Sequence, residues 1–185
     1  MIILGITGTI GAGKGTIVDY LVKNKNFKHY SVRNYIIEEI KKRNMPVNRD
    51  SMVVVANDLR TKNSPSFIID KLYEKAEKSN NNCIIESIRT PGEVLSLRKK
   101  DNFFLIAVDA DPELRYQRIK LRKSETDNIS FETFVENEKR EMNSDNQNNQ
   151  NLKKCIEMAD IVIKNNGTRK DLYDEINKKC ADILN

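Results

Sequence analysis

"ITGTIGAGKGT", residues 6–16, packs four glycines and one lysine directly behind a short apolar run. Gly8-Thr9-Ile10-Gly11-Ala12-Gly13-Lys14 fits the pattern G-x-x-x-x-G-K, and the spacing of Ile17, Val18, Leu21 and Val22 after it is that of an amphipathic helix. Between a strand and a helix, glycines let successive backbone N–H groups turn inward on phosphate oxygens. The helix N-terminus adds a dipole that favours anions. The candidate phosphate ligands are therefore Gly8, Gly11, Ala12, Gly13, Lys14, Gly15 and Thr16, with Lys14 on the β- and γ-phosphates of an ATP-like ligand. A hydroxyl that ligates Mg²⁺ is usual after the lysine; here that place holds Gly15, and the hydroxyl follows at Thr16.

Outward from this loop, five apolar-rich runs predict strands: Ile2 to Thr7, His29 to Val32, Cys83 to Ile88, Phe103 to Asp109 and Asp160 to Lys164. Apolar runs without strict alternation suit strands covered on both faces, as in a parallel sheet between helices. The expectation is a three-layer α/β/α fold with a five-stranded parallel sheet, in one domain spanning 1–185. The length of 185 residues suits that reading.

Helix starts are marked by Thr90-Pro91-Gly92-Glu93, a capping box with proline at the first helical position. Asp111-Pro112 and Ser64-Pro65 repeat the cap-then-proline pattern, and Thr168 precedes a helix predicted over Arg169 to Leu184. Met52, Val55, Ala56 and Leu59 share a helical face, so Met52 to Val55 is read as helix despite its β-propensity. Asn143 to Asn151, without an apolar residue, reads as an exposed loop.

Lys plus Arg number 32 and Asp plus Glu 27, and 32 − 27 leaves a formal charge of +5. The excess suits an anionic ligand, but the lysines are scattered and no aromatic-basic repeat appears, which argues against a nucleic-acid binder. Cys83, Cys155 and Cys180 form no C-x-x-C pair, so neither a disulfide framework nor a zinc site is indicated and a reducing, cytoplasmic setting is expected. No stretch approaches the roughly 20 apolar residues of a membrane helix.

Four stretches, "ITGTIGAGKGT", "IIESIRTPGEV", "AVDADPELRYQRI" and "MADIVIKNNG", in this order and spacing, resemble the P-loop kinase superfamily from Met1 to about Asn166. That superfamily includes adenylate kinase and dephospho-CoA kinase, and the similarity is strongest to a group of dephospho-CoA-kinase-like or adenylate-kinase-like proteins of uncertain substrate. The Gly-Lys-Gly-Thr ending of the loop is the nucleoside monophosphate kinase form. It implies ATP as phosphoryl donor, with Mg²⁺ held mainly through phosphates and water, near Thr16 and Glu86.

The resemblance further implies that Arg89 contacts the phosphate of an acceptor nucleotide. A cation beside a helix N-terminus is electrostatically unfavourable, which favours a functional reading of Arg89. Glu86, a carboxylate ending an apolar strand, matches the family's acidic position that organises water around Mg²⁺ or faces the acceptor. Arg118 and Arg122, at i and i+4, match the two arginines flanking a lid, expected here at approximately 115–142. Arg115, one turn earlier, extends them into a basic stripe, and Arg140 is placed to return a lid arginine to the transferring phosphate.

Two departures bear on the acceptor. Adenylate kinase has Asp-x-x-Arg after its second strand, where this chain has Asn34 and Ile37, with Arg33 as a substitute from another angle. Dephospho-CoA kinase has an Asp base there, where this chain has Ser31, Arg33 and Asn34. A phosphate acceptor needs no general base at neutral pH, whereas a hydroxyl gains from one. The resemblance thus points to ATP-dependent phosphorylation of a nucleoside or deoxynucleoside monophosphate. Dephospho-CoA kinase, with Glu86 as base, and a non-catalytic nucleotide sensor are the alternatives. His29 is assigned no role, and Tyr30 and Tyr35 read as core packing before base stacking.

Overall fold

The structure, a computed structural model, describes residues 1–122, 129–145 and 149–184. Five strands, β1 (Ile3–Gly8), β2 (Lys28–Ser31), β3 (Cys83–Glu86), β4 (Phe103–Asp109) and β5 (Ile161–Lys164), form one sheet in the order β2-β3-β1-β4-β5. Every pairing is parallel. The five predicted strands are present, each within about two residues of its expected bounds.

Alternation along the strands explains why both faces are apolar. Ile3, Cys83, Ile85, Phe103 and Leu105 point into one core, and Leu4, Ile6, Ile84, Ile106 and Val108 into the other. The first core is closed by α2 (Val32–Lys42), α3 (Arg49–Lys62), α4 (Phe67–Ser79), α5 (Pro91–Leu97) and α8 (Leu152–Glu157). The second is closed by α1 (Lys14–Lys25), α9 (Arg169–Lys179) and α10 (Ala181–Leu184). The outcome is the predicted three-layer α/β/α arrangement. Two further helices, α6 (Pro112–Arg122) and α7 (Phe131–Met142), follow β4. The part of the predicted lid excursion over 123–128, and residues 146–148 of the Asn-rich loop, lie outside the described residues.

Local signals mostly fall where expected. Thr90 and Glu93 form the capping box of α5, Thr168 and Asp171 that of α9, and residues 52–55 are helical. Ser64-Pro65 is different: Phe67 N–H closes a turn on the Ser64 carbonyl at 3.1 Å, so α4 starts two residues late with Ser66 at its cap. Pro65 instead packs on Gly92, where a Cβ would come within 2.8 Å of the proline ring. The C-terminal helix also breaks, at Cys180.

β1 is central, with β3 and β4 on either side, so the chain order reverses around it. Parallel strands end together, and the open crevice at such a reversal is where α/β folds place ligands. Register sets Glu86 beside Ile6 and Ser31, Gly8 beside Val108, and Asp109 beside Lys164, which lines up the strand-end residues along this edge.

Candidate active site at the strand ends

The glycine loop leaves β1 through Gly8 and enters α1 at Lys14, and its shape rests on neighbours distant in sequence. Gly8 has φ +134°, and a Cβ there would lie 1.9 Å from the Val108 carbonyl oxygen. Gly13, at φ +105°, would drive a Cβ to 2.3 Å from Nδ2 of Asn165. Both positions require glycine, by backbone conformation and by space. At Gly15 nothing lies within 4 Å of where a Cβ would be, so its lack of a side chain is not a packing requirement.

Lys14 is buried and donates from Nζ to the carbonyls of Gly8 (2.9 Å) and Thr9 (2.8 Å). Burial, and next the charge of Arg89, pull its ammonium down to about 8, against the opposing pull of Glu86 and Glu141. Thr9 Oγ1 donates to Asp109 Oδ1 at 2.7 Å, tying the loop to β4.

Two cavities open on either side of Lys14. The larger, about 720 Å³, is lined by the loop, Thr16, Asp19, Arg118, Leu121, Asn165 and Arg169 among others. The smaller, about 140 Å³, lies between the strand ends, α2 and α3. Gly11, Lys14, Glu86 and Arg122 line both. The structure thus brings Lys14, Glu86, Arg89, Arg118, Arg122 and Arg33 to two adjoining cavities, with Arg118 on the larger and Arg33 and Arg89 on the smaller.

Glu86 ends β3, followed by Ser87 at φ +74°, a non-glycine residue in the left-handed region. Backbone held there costs about 1–3 kcal/mol and persists only where its surroundings demand it. Ser87 Oγ donates to Glu86 Oε1 at 2.8 Å, and His29 Nε2 stands 3.7 Å from Glu86 Oε2. Burial by itself would raise the Glu86 carboxyl; contact with His29, the Lys14 charge and the Ser87 hydroxyl outweigh it and bring it down to about 2. His29, assigned nothing from the sequence, is thus the carboxylate's neighbour.

Arg89 is paired in a way the sequence did not disclose. Glu141 of α7 is 4% exposed, and its carboxylate accepts from both Arg89 and Arg49 of α3. Arg89 also donates to Gln150 Oε1 at 2.9 Å. Burial opposes the Glu141 charge, but the two arginines hold its carboxyl below the usual range. Arg49 and Glu141 lack a local motif; only the i, i+3, i+4 spacing of Arg49, Met52, Val53 and Ala56 hints at a shared face.

Two of the arginines line neither cavity. Arg115 does not extend an exposed basic stripe: it is 3% exposed and serves as a strut, donating to the Ala110 carbonyl at 2.6 Å and the Ile10 carbonyl at 3.3 Å and pairing with Glu138. Arg140 lies outside the lining of both cavities, 3.5 Å from Asp50 and bonded to Asn137, because the helical turn sends the next residue, Glu141, inward instead. Tyr30 and Tyr35 pack against the first core and line neither cavity.

For a divalent cation, the side-chain oxygen donors on the larger cavity include those of Thr16, Asp19 and Glu86. Hard oxygen donors fit Mg²⁺. Among the described residues no group of three or more His, Cys, Asp or Glu is gathered as a metal site. Among the described residues, no helix is long and apolar enough to cross a membrane.

Residues 4–144 match the family model described as AAA domain. A UPF0200 protein of Methanocaldococcus jannaschii is 30% identical over all of this chain and 92% of its own length, and one of Methanococcus maripaludis is 30% identical over 100% and 99%. In fold, the chain is similar to a gluconokinase from Sinorhizobium meliloti (TM-score 0.61, 8% identity, 99% and 93% of the two chains). It is also similar to a shikimate kinase from Bacteroides thetaiotaomicron (TM-score 0.59, 10% identity, 97% of each). With a phosphate-type glycine loop at the reversal point of a parallel sheet and relatedness along its full length, the chain belongs to the AAA domain family and to the UPF0200 proteins.

Proposed function

We propose that this protein transfers the γ-phosphoryl group of ATP to a small nucleotide, a nucleoside or deoxynucleoside monophosphate, with ADP as co-product. The observation that carries the reading is the junction of the two cavities at Gly11, Lys14, Glu86 and Arg122. A phosphoryl group passing between them stays within reach of the same cations throughout.

In this reading the larger cavity takes ATP. Loop N–H groups and Lys14 hold its β- and γ-phosphates, and Arg118 and Arg122 of α6 neutralise charge from the other side. Thr16 and Glu86 would hold Mg²⁺ through water, and the ion would supply further charge neutralisation on the phosphates. Arg89, Arg49 and Arg33 hold the acceptor phosphate. An acceptor oxygen attacks the γ-phosphorus, a new P–O bond forms, the bond to the β-γ bridging oxygen breaks, and ADP leaves. The segment at approximately 115–142 serves as a lid that excludes competing water.

Glu86 separates the acceptor classes. A carboxylate held at about 2 is a weak proton acceptor, unsuited to deprotonating a ribose hydroxyl. An acceptor phosphate already carries its nucleophilic oxygen at neutral pH, which supports a monophosphate over dephospho-CoA.

The test is ADP release from Mg·ATP against ribo- and deoxynucleoside monophosphates and dephospho-CoA, with Lys14→Ala as control. Turnover on a monophosphate that vanishes in Lys14→Ala supports the reading. Turnover on dephospho-CoA alone would overturn it in favour of a hydroxyl acceptor. ATP binding without turnover on any acceptor would leave a nucleotide sensor.

A further inference from the structure

One face of α3 runs the length of the acceptor cavity. Arg49, Met52, Val53, Ala56 and Arg60 all line it, with spacings of three, one, three and four residues that keep them on one side of the helix. Cations stand at both ends and apolar side chains between. From residue 49 to 60 the helix rises about 16 Å at 1.5 Å per residue, a span that suits a phosphate, a sugar and a base with a hydrogen bond at each end.

The two ends differ. Arg49 belongs with Arg89 to the phosphate side. Arg60 is 2% exposed and its Nε and Nη2 both donate to Glu93 Oε1, at 3.2 and 2.7 Å. The other Glu93 oxygen accepts from the backbone N–H groups of Arg89 (2.8 Å) and Thr90 (3.1 Å). Glu93 therefore locks the Arg60 guanidinium in orientation and joins it rigidly to the loop that carries Arg89. One edge is left over: Nη1 of Arg60 is buried and has no hydrogen-bond partner. Buried donors are nearly always satisfied, and leaving one unmade costs about 1–3 kcal/mol. A donor held this firmly beside a cavity calls for an acceptor supplied by the ligand.

We infer that Arg60 reads the base of the acceptor nucleotide, and that the base presents a carbonyl oxygen to Nη1. A guanidinium has donors and no acceptor, so it can bond an oxo group but not the exocyclic amino group that adenine or cytosine places at the equivalent edge. Ring nitrogens of adenine and cytosine also accept from an N–H, so the inference commits to the C6 edge of a purine or the C4 edge of a pyrimidine: the acceptor is then a monophosphate whose base carries an oxo group there, of the uracil, thymine, hypoxanthine or guanine type. This rests on the monophosphate reading of the same cavity.

The test is calorimetric binding to the wild-type protein holding a non-hydrolysable ATP analogue, with inosine, adenosine and purine riboside monophosphates as one series and dUMP with dCMP as another. In whichever series binds, the oxo ligand is expected to bind at least tenfold more tightly than the amino or unsubstituted one. Arg60→Lys keeps a charge opposite Glu93 but loses the planar fork, and is expected to bring the ratio toward one. Equal binding, an amino preference, or an oxo preference that survives in Arg60→Lys would overturn the inference while leaving the monophosphate reading intact. Binding of the ATP analogue with no monophosphate bound in either series would overturn both.

Discussion

Asn165 donates from its side-chain Nδ2 to the carbonyl oxygen of Ala12 at 2.8 Å, across 153 residues of sequence. Its own backbone N–H is fixed on the Asp109 carbonyl at 2.8 Å, so the loop after β5 braces the glycine loop. With the Ala12 carbonyl on Asn165 and the Ala12 N–H on the Thr9 carbonyl at 3.3 Å, this part of the loop is held on both of its backbone polar groups.

Asn165→Ala is expected to cost about 1–2 kcal/mol of stability, since the buried Ala12 carbonyl loses its partner. ATP affinity is expected to fall about tenfold, the equivalent of about 1.4 kcal/mol, as the loop loses its brace. Thermal unfolding and calorimetry check both. Unchanged affinity in a destabilised protein would show that the loop keeps its shape unaided.

The glycines of the loop are expected to separate by substitution. Gly15→Ser, with open space around the new Cβ, should change stability by less than about 0.5 kcal/mol. Its hydroxyl should lower the Mg²⁺ concentration needed for half-maximal ATP turnover. Gly8→Ala should lose about 3 kcal/mol or more, through a positive φ and a collision with the Val108 carbonyl. Urea unfolding of the two variants, together with a Mg²⁺ titration of Gly15→Ser, decides the matter.

Removing the Glu141 carboxylate leaves Arg49 and Arg89 facing each other in a largely buried place. Glu141→Ala is expected to destabilise by about 3–5 kcal/mol, the cost of breaking a buried ion pair on one side, and Glu141→Gln by less because it still accepts hydrogen bonds. Chemical denaturation midpoints of the two variants give the order.

Acid should act through Glu86. Its folded value of about 2 lies below the ordinary 4.5, so its stabilisation is complete above pH 4.5 and is lost as the pH falls toward 2. Glu86→Gln is expected to flatten that part of the stability profile, measured by unfolding at pH 2 to 6.

Lys14 should act at the other end of the scale. Its folded value of about 8 lies below its ordinary 10.5, so the unfolded chain binds more protons between those values and stability rises with pH there. Bound phosphate favours the charged ammonium, so ATP binding near pH 8 to 9 should take up protons. Calorimetry in buffers of different ionisation enthalpy should detect that uptake, and Lys14→Ala should abolish it.

Much of the framework was legible along the chain because it depends on local pattern. The five strands were marked by apolar runs, and Thr90-Pro91 and Thr168 marked their helix starts by short-range capping. The Gly8 to Lys14 loop carried its chemistry in consecutive residues. The carboxylates that pair with the site's arginines were not legible in this way. Arg49 and Glu141 are separated by 92 residues and Arg60 and Glu93 by 33, and nothing near either member announces its partner. The positions of Arg140 and Glu141 have the same origin: a helix turns about 100° per residue, so neighbours in sequence point in different directions, and which one faces inward is set by how the helix is rotated against the rest.

The sequence by itself thus determined the layered parallel sheet, the phosphate-type loop and the row of cations expected around it. Periodicity and turn chemistry act over a few residues and are written in consecutive positions. Tertiary structure decided how those cations are neutralised, which of them face a cavity, and that Arg49 Nε and Arg60 Nη1 are buried donors without a partner. Such choices follow from register between strands and from the rotation of helices against the sheet, where residues far apart in the chain compete for the same buried space and charge.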